Sequence, residues 1–304
     1  MEKSDFIFRH RIDRDNRCMR IPLFVHIEVT TRCNVGCPQC YCSSTSEGKD
    51  MDFLLYKEII EQIDVIKIPS ILLTGGEPIL HIQLIQMIEY AAQKNINVIV
   101  STSGVGINEN FCKKLAQSGI GEVCVSINGS NKYIHSLSRG HFESAVNALK
   151  LLADHNINLR VNWVARGDNY RDFPNVVDLC IQNKINKITI LSNKKRDGII
   201  YSPMKKPDVD LLNKYIEENK NKIHIDVDPC FNELLKLNTK NMLKVTCNAG
   251  ITFFDILVDG GMLPCRHILS DRCCLNNLSV EEYWHSESLQ NFRNAKPINM
   301  EICK

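Results

Sequence analysis

The sequence predicts an α/β protein built on a largely parallel sheet. Two observations carry that expectation, and a third bounds it. Strand-like and helix-like stretches alternate about six times at roughly thirty residues per unit, which is the βαβ signature. Each chemically unusual segment directly follows a predicted strand, and parallel α/β sheets bind their ligands at the carboxyl ends of strands. With 304 residues, 44% hydrophobic and 24% charged, the chain has room for one large α/β domain and a small appendage.

Taken in order, residues 23–30 read as a buried strand that delivers Cys33. Residues 43–50 are polar and form a loop. Phe53, Ile59, Ile60, Ile63 and Ile66 recur at the helical period. Residues 70–74 are a short strand that runs into Gly75-Gly76-Glu77-Pro78. Helices are then expected over 82–94, 110–117, 142–154, 173–182 and 208–219. Strands alternate with them over 97–101, 122–127, 158–165, 187–191 and 222–227. Periodicity alone does not separate a doubly wound sheet from a barrel. After Cys230 the pattern changes. Residues 231–241 read as a connection. A hairpin is expected from 252–258 and 262–265 around Asp259-Gly260-Gly261, followed by a helix over 280–294. The expected organisation is a lead-in over 1–20, a main domain over 21–230 and a cysteine-rich domain over 231–304.

Charge excludes some functions. A net charge of +2 gives no electrostatic case for nucleic acid or an anionic membrane. The first twenty residues carry Arg9, Arg11, Arg14, Arg17 and Arg20, interrupted by Asp5, Asp13 and Asp15. They lack the apolar core of a secretion signal. No apolar run approaches the length of a membrane span. Fourteen cysteines in a chain without such a signal point to a reducing, cytoplasmic setting and to metal rather than disulfides.

Cys33, Cys37 and Cys40 stand at C-x3-C-x2-C spacing directly after the first strand. Ligands this close in sequence must come from a loop, because a strand or helix would point them in different directions. Three thiolates on a four-iron cube leave one iron open to a non-protein ligand. A structural zinc site is the competing reading, with Cys42 or a histidine as fourth ligand. Gly75 and Gly76 allow close backbone approach to a ligand, Glu77 adds a carboxylate, and Pro78 can start the next helix. The nine histidines show no metal spacing. Cys42, Cys112, Cys124 and Cys180 read as core or loop residues, and Trp163 and Trp284 as packing.

The cysteine motif followed by Tyr41, with Gly75-Gly76-Glu77-Pro78 after the second strand, resembles the radical S-adenosylmethionine (SAM) superfamily over roughly residues 20–230. The resemblance implies a partial (β/α)6 barrel with a [4Fe-4S] cluster on Cys33, Cys37 and Cys40 and SAM on the open iron. Reductive cleavage of SAM would give a 5′-deoxyadenosyl radical that takes a hydrogen atom from the substrate. It also implies that Gly75, Gly76, Glu77 and Pro78 form the motif holding the methionyl amino group. Tyr41 and Leu191 would lie near the adenine, and Ser101 and Ser103 near the ribose. Ser126 and Arg139 would approach the ribose or the carboxylate. The family often has Asn where Ser103 stands and Asp where Asn128 stands.

Cys247, Gly260 and Cys265 match the opening of the twitch or SPASM extension of some radical SAM enzymes. That resemblance implies a small C-terminal β-hairpin plus helix domain with an auxiliary [4Fe-4S] cluster. Cys303 is the candidate third ligand, and Cys230, Cys273 and Cys274 are candidates for the fourth. Cys230 follows the last barrel strand, so it is also a candidate hydrogen-atom donor for radical epimerisation.

The function expected by analogy is modification of a ribosomal peptide, by thioether or carbon–carbon cross-linking or by epimerisation. A flavodoxin or ferredoxin would supply electrons, with no role for nucleic acid or membrane. Only some twenty residues precede the first strand, so no leader-binding domain is expected there. The alternatives are alcohol dehydrogenation, formylglycine formation, tetrapyrrole maturation, and a zinc-binding α/β protein without radical chemistry.

Overall fold

The structure, a computed structural model, describes residues 12–13, 18–40, 42, 44–195, 201–231, 247–267, 273–274 and 277–295. Two short strands, β1 (Ile12–Asp13) and β2 (Cys18–Met19), pair antiparallel at the entrance. The main sheet then begins with β3 (Phe24–Thr30). It continues with β4 (Ser70–Gly75), β5 (Asn97–Thr102), β6 (Glu122–Ser126), β7 (Leu159–Ala165), β8 (Lys187–Ser192) and β9 (His224–Val227).

These seven strands lie side by side in chain order and are parallel throughout. A doubly wound sheet would reverse its strand order part-way. Sequential order is the winding of an open barrel, so the structure settles what periodicity left undecided. The connecting helices are α1 (Phe53–Val65), α2 (Leu84–Gln93), α3 (Glu109–Gln117), α4 (Lys132–Ser136), α5 (Phe142–Asp154), α6 (Phe173–Gln182) and α7 (Lys206–Asn219). The short α4 is absent from the sequence expectation, because five residues are too few to show a helical period.

Strand alternation divides the sheet into two chemical faces. Val25, Ile27, Val29, Ile71, Leu73, Val98, Val100, Val123, Val125, Val161 and Ile188 are buried in the core. The alternate positions carry His26, Glu28, Ser101, Ser126, Arg160, Asn162 and Thr189, and register sets Ser126, Asn162 and Thr189 side by side. On this polar face Glu122 accepts Arg160 at 2.5 Å and Lys187 at 2.8 Å.

The C-terminal region adds to the same sheet. Strand β10 (Phe253–Ile256) pairs parallel with β3, Phe253 opposite Phe24 and Asp255 opposite His26. The hairpin continues through β11 (Gly261–Leu263) to β12 (Cys273–Cys274). The phenyl rings of Phe24 and Phe253 stack 5.2 Å apart, and such pairs add to a strand pairing.

The single helix expected over 280–294 is instead two, α8 (Val280–Trp284) and α9 (Glu287–Ala295). Ser279 and Glu282 form a capping box that starts α8. The buried Arg293 guanidinium donates to the Trp284 carbonyl at 2.8 Å and to the Gly250 carbonyl at 2.6 Å. The bond to Trp284 satisfies a carbonyl at the end of α8 and ties α9 to it. The expected connection over 231–241 lies, past Phe231, outside the described residues. Among the described residues no helix is long and apolar enough to cross a membrane.

Candidate active site

The cysteine loop is held from both sides by backbone. On one side the Thr31 N–H donates to the Lys49 carbonyl at 2.8 Å and the Cys33 N–H to the Thr45 carbonyl at 2.7 Å. On the other, the Gly76 N–H donates to the Thr30 carbonyl at 2.7 Å and the Glu77 N–H to the Arg32 carbonyl at 2.8 Å. The two sequence motifs are therefore one hydrogen-bonded unit. Contact this close requires glycine. A Cβ at Gly75 would stand 2.0 Å from the Thr30 oxygen, and one at Gly76 would stand 2.1 Å from the Arg32 oxygen. Gly75 also has a φ of 143°, which L side chains rarely adopt.

Side chains reinforce the unit. Arg32 forms a bidentate pair with Asp50, at 2.9 and 2.6 Å, and donates to the Leu80 carbonyl at 2.7 Å. Thr30 donates to Asp50 at 2.7 Å. Inside the motif, the fully buried Arg166 reaches Gln39 Oε1 at 3.1 Å while Asp168 holds its other nitrogens. The end of β7 thus fixes the loop between Cys37 and Cys40. None of Arg32, Asp50, Gln39 or Arg166 was singled out from sequence. The Arg32–Asp50 and Arg166–Gln39 pairs span 18 and 127 residues, and no local pattern reports such pairs.

Cys33, Cys37 and Cys40 are half-buried and are not joined in disulfides. Burial pushes the Cys33 thiol up, and Glu77, Cys37 and Cys40 push the same way. The three thiols and the carboxylate therefore share one neighbourhood.

Glu77 is only 1% exposed. Its carboxylate accepts from Thr102 Oγ1 at 2.6 Å, the Ser103 N–H at 2.7 Å, the Ser103 hydroxyl and the Ile79 N–H at 3.3 Å. All four donors are neutral. Burial accordingly raises its pKa despite them, and a cationic guest would bring it back down. Ser103 is thus committed to Glu77, while Ser101 lies half-buried on the polar face of β5. Pro78 opens a 3-10 turn (Pro78–Leu80) capped by Glu77.

Arg139 follows α4 in the turn before Gly140. Its Nε is buried and has no hydrogen-bond partner among the described residues. Buried His135 fixes the turn that carries it. Its ring accepts from the Asn128 N–H at 3.2 Å and bonds the Gly140 carbonyl at 3.1 Å. The Asn128 side chain donates to Ser138 and accepts from the Val164 N–H, which ties α4 to β7.

The comparisons with known proteins decide what this arrangement is. Residues 27–180, just over half the chain, match the radical SAM superfamily, and residues 247–304 match an iron-sulfur cluster-binding domain, SPASM. The chain belongs to the radical SAM superfamily. A relative in Methanosarcina barkeri, an Fe-coproporphyrin III synthase, is 30% identical over 53% of this chain and 41% of its own. The match thus spans less than half of that relative's length. The PqqA peptide cyclase of Bradyrhizobium diazoefficiens is 22% identical over 90% of this chain and 76% of its own. Among solved structures, Streptococcus suis SuiB bound to S-adenosylmethionine superposes with a TM-score of 0.80 at 18% identity, covering 95% of this chain and 71% of that one. SuiB has also been solved with its precursor peptide SuiA.

The residues of this radical SAM chain fit the cofactors that the two matches imply, a [4Fe-4S] cluster with SAM and an auxiliary iron–sulfur cluster. The C-x3-C-x2-C motif supplies three thiols, and Cys42 follows two residues beyond it. Among the described residues, Glu77 is a buried carboxylate with only neutral hydrogen-bond donors, and Arg139 Nε is buried without a partner; the amino and carboxylate groups of SAM are their complements. Ser126 ends β6 opposite Asn162, and Leu191 lies half-buried near the end of β8. Tyr41 and Cys303 lie outside the described residues, and only the backbone of Cys273 and Cys274 is described.

In the auxiliary region the Cys230 thiol is pushed up, first by hydrogen bonding with Cys247 and then by burial and Asp228, while Lys194 draws it back. Cys265 is half-buried at the end of the hairpin. Its neighbour Arg266 donates its N–H to Asp255 at 2.7 Å and pairs with Glu28.

Proposed function

We propose that this radical SAM enzyme modifies a ribosomally made peptide, forming a thioether or carbon–carbon cross-link or inverting a stereocentre. One observation carries the reading. The relative that aligns across nine-tenths of this chain, barrel and iron-sulfur domain together, is a peptide cyclase. The tetrapyrrole relative aligns over about half. SuiB, solved with a precursor peptide, supports it at the level of fold.

In this reading Cys33, Cys37 and Cys40 hold the cluster, and Gly75, Gly76 and Glu77 hold the methionyl amino group. Arg139 and Ser126 hold the carboxylate, Ser101 faces the ribose, and Leu191 packs on the adenine. When bound, the cluster and SAM together supply a primary carbon radical for hydrogen abstraction. The protein's part is to position and to exclude water. The glycine-mediated clamp keeps the loop in one conformation, and Glu77 joins it to the end of β5. Cys247 and Cys265 serve the auxiliary cluster, with a flavodoxin or ferredoxin as electron source.

The test is anaerobic incubation of the reduced enzyme with SAM and a peptide encoded beside its gene. The expected result is 5′-deoxyadenosine together with a modified peptide. A cross-link removes a pair of hydrogen atoms from the peptide mass, whereas epimerisation leaves the mass unchanged. A second reading, tetrapyrrole maturation, draws on the 30% identity to the Fe-coproporphyrin III synthase. Turnover of iron coproporphyrin with no reaction on the peptide would replace the first reading with the second.

A further inference from the structure

We infer that His26, oriented by Asp255, is the base that takes a proton from the substrate. The inference deepens the peptide reading and rests on it, because a cross-link must shed a proton and an inversion need not.

His26 lies on the polar face of β3, between the core residues Val25 and Ile27. Register runs from Asp255 through His26 and Leu72 to Ile99 on β5. Ser101, given above to the ribose, is the next residue of β5 on that face. Two residues of strand span about 7 Å. His26 therefore stands one row deeper than the ribose seat on the same face. The substrate has to share that face, since its hydrogen atom passes directly to the 5′ carbon held there.

Three groups fix the ring. His26 packs against Phe24 and Phe253, with ring centroids 5.3 and 4.7 Å away. Its Nδ1 lies 2.9 Å from Asp255 Oδ1. That oxygen is buried and makes no aligned hydrogen bond among the described residues, whereas Oδ2 accepts the Arg266 N–H at 2.7 Å. Two lone pairs cannot face each other at such a distance, so Nδ1 carries the proton and Nε2 keeps its lone pair. The side chain of Asp255 is 8% exposed and that of His26 is 25% exposed. Nε2, without a hydrogen-bond partner among the described residues, is the reachable end of the ring. The other charges nearby are committed. Glu28, two residues further along β3, is held by Arg266 and by the Val258 N–H. Leu72, the neighbour on β4, carries no charge.

The electron count calls for such a base. For a thioether, one peptide carbon gives a hydrogen atom to the 5′-deoxyadenosyl radical, which becomes 5′-deoxyadenosine. The peptide thiol gives its proton to His26 Nε2, and its sulfur bonds to the carbon radical. One electron is then in excess and leaves to an oxidised iron–sulfur cluster. For a carbon–carbon bond, the proton leaves the carbon that has been attacked. Asp255 lies between the two outlets, since the N–H that it accepts belongs to the neighbour of Cys265, given above to the auxiliary cluster. Inversion returns a hydrogen atom to the same carbon and leaves no proton to place.

The test separates hydrogen abstraction from bond formation. Full-length holoenzyme is reduced anaerobically with SAM and the peptide encoded beside its gene. Formation of 5′-deoxyadenosine and of cross-linked peptide is measured independently. His26→Gln should still form 5′-deoxyadenosine, but cross-linked peptide should fall at least about a hundredfold, with the peptide's KM little changed. The acid limb of the kcat profile should disappear with it. Asp255→Asn turns an amide N–H towards the ring and moves the imidazole proton to Nε2. It should lose product in the same way at wild-type iron content. A third arm needs no variant and so stands if one misfolds. In resting wild-type holoenzyme His26 should react with diethylpyrocarbonate, and SAM with peptide should protect it.

Cross-linking by His26→Gln at the wild-type rate overturns the inference, as does a His26 that resists the reagent in the resting holoenzyme. Loss of 5′-deoxyadenosine together with product, at full iron, would place His26 in the SAM site and overturn it too. A ring that only fastens β10 to β3 would lower the denaturant midpoint and leave the pH profile unmoved. Wild type that leaves the peptide untouched is a separate failure, visible without any variant: the peptide reading falls, and the base assigned within it falls as well.

Discussion

The two cysteine regions are built on opposite plans. In the first, Cys33, Cys37 and Cys40 share one short loop, and the clamp around it is mainly main chain, running from Thr30–Arg32 to 45–49 on one side and to Gly76–Glu77 on the other. In the second, Cys230, Cys247 and Cys265 come from three separate segments, and the ties beside Cys265 run through side chains. Arg266, next to Cys265, is held by Asp255 on β10 and by Glu28 on β3. Glu28 also accepts the Val258 N–H at 3.2 Å. Strand β3 is common to both plans, because it delivers the first loop and anchors the second. A main-chain clamp ignores most substitutions and fails only where a side chain cannot fit. A side-chain clamp fails wherever one partner is changed.

The largest effect should follow from Gly76→Ala. The new Cβ would meet the Arg32 carbonyl at 2.1 Å, and a backbone oxygen cannot rotate aside. A destabilisation of at least about 3 kcal/mol is expected from such strain. Denaturant midpoints should fall, and the barrel cluster's iron should be lost while auxiliary iron remains. A variant with full iron and an unchanged midpoint would show that the clamp is not what fixes the loop.

Acid should strike the barrel side by another route. Burial, helped by Arg139, pushes His135 down to about 4, against the Gly140 carbonyl and Glu143. A free imidazole titrates near about 6.5. The folded state therefore prefers the neutral ring, and the stability this confers is complete above the free value. It declines as pH falls from about 6.5 towards about 4, by about 3 kcal/mol in all. Urea unfolding of wild type and His135→Gln across that interval should show the wild type falling more steeply. Parallel curves would mean that this ring does not govern the seat of Arg139.

Glu28→Gln probes the other plan. It keeps the shape and the Val258 contact but removes the charge that holds Arg266. Glu28 is 3% exposed, so the guanidinium loses a buried partner, at a cost of about 2 kcal/mol. The auxiliary cluster should show altered EPR or reduced occupancy, while SAM cleavage to 5′-deoxyadenosine persists. If instead the barrel cluster fails first, β3 couples the two sites more tightly than two separate plans allow.

How much of this was legible follows the same division. The loop, Gly75–Pro78 and the alternation of strands with helices could be read because their signals are local: ligand spacing, glycine pairs and alternating periods. Even helix ends such as 142–154 and 173–182 coincide with the structure. The Glu77–Ser103 bond and the Arg166–Gln39 contact were not legible, because each joins segments whose proximity only the fold creates. The parallel pairing of β10 with β3 belongs with them. A hairpin shows its own turn in sequence but not the edge it will join.

The smallest effect is the sharpest test of the comparison. Arg32→Lys removes the bidentate bond to Asp50 and the bond to Leu80 together, since an ammonium cannot reproduce the planar fork. Yet both partners are about one-third exposed, at 31% and 28%, so solvent screens the pair and the expected loss is only about 1 kcal/mol. The loop's main-chain bonds to Thr45, Lys49, Gly76 and Glu77 survive the change. Iron content should therefore match wild type, with a modest fall in the denaturant midpoint. Were Arg32→Lys to lose iron as completely as Gly76→Ala, the loop would depend on its side chains as the auxiliary site does, and the contrast between the two regions would collapse.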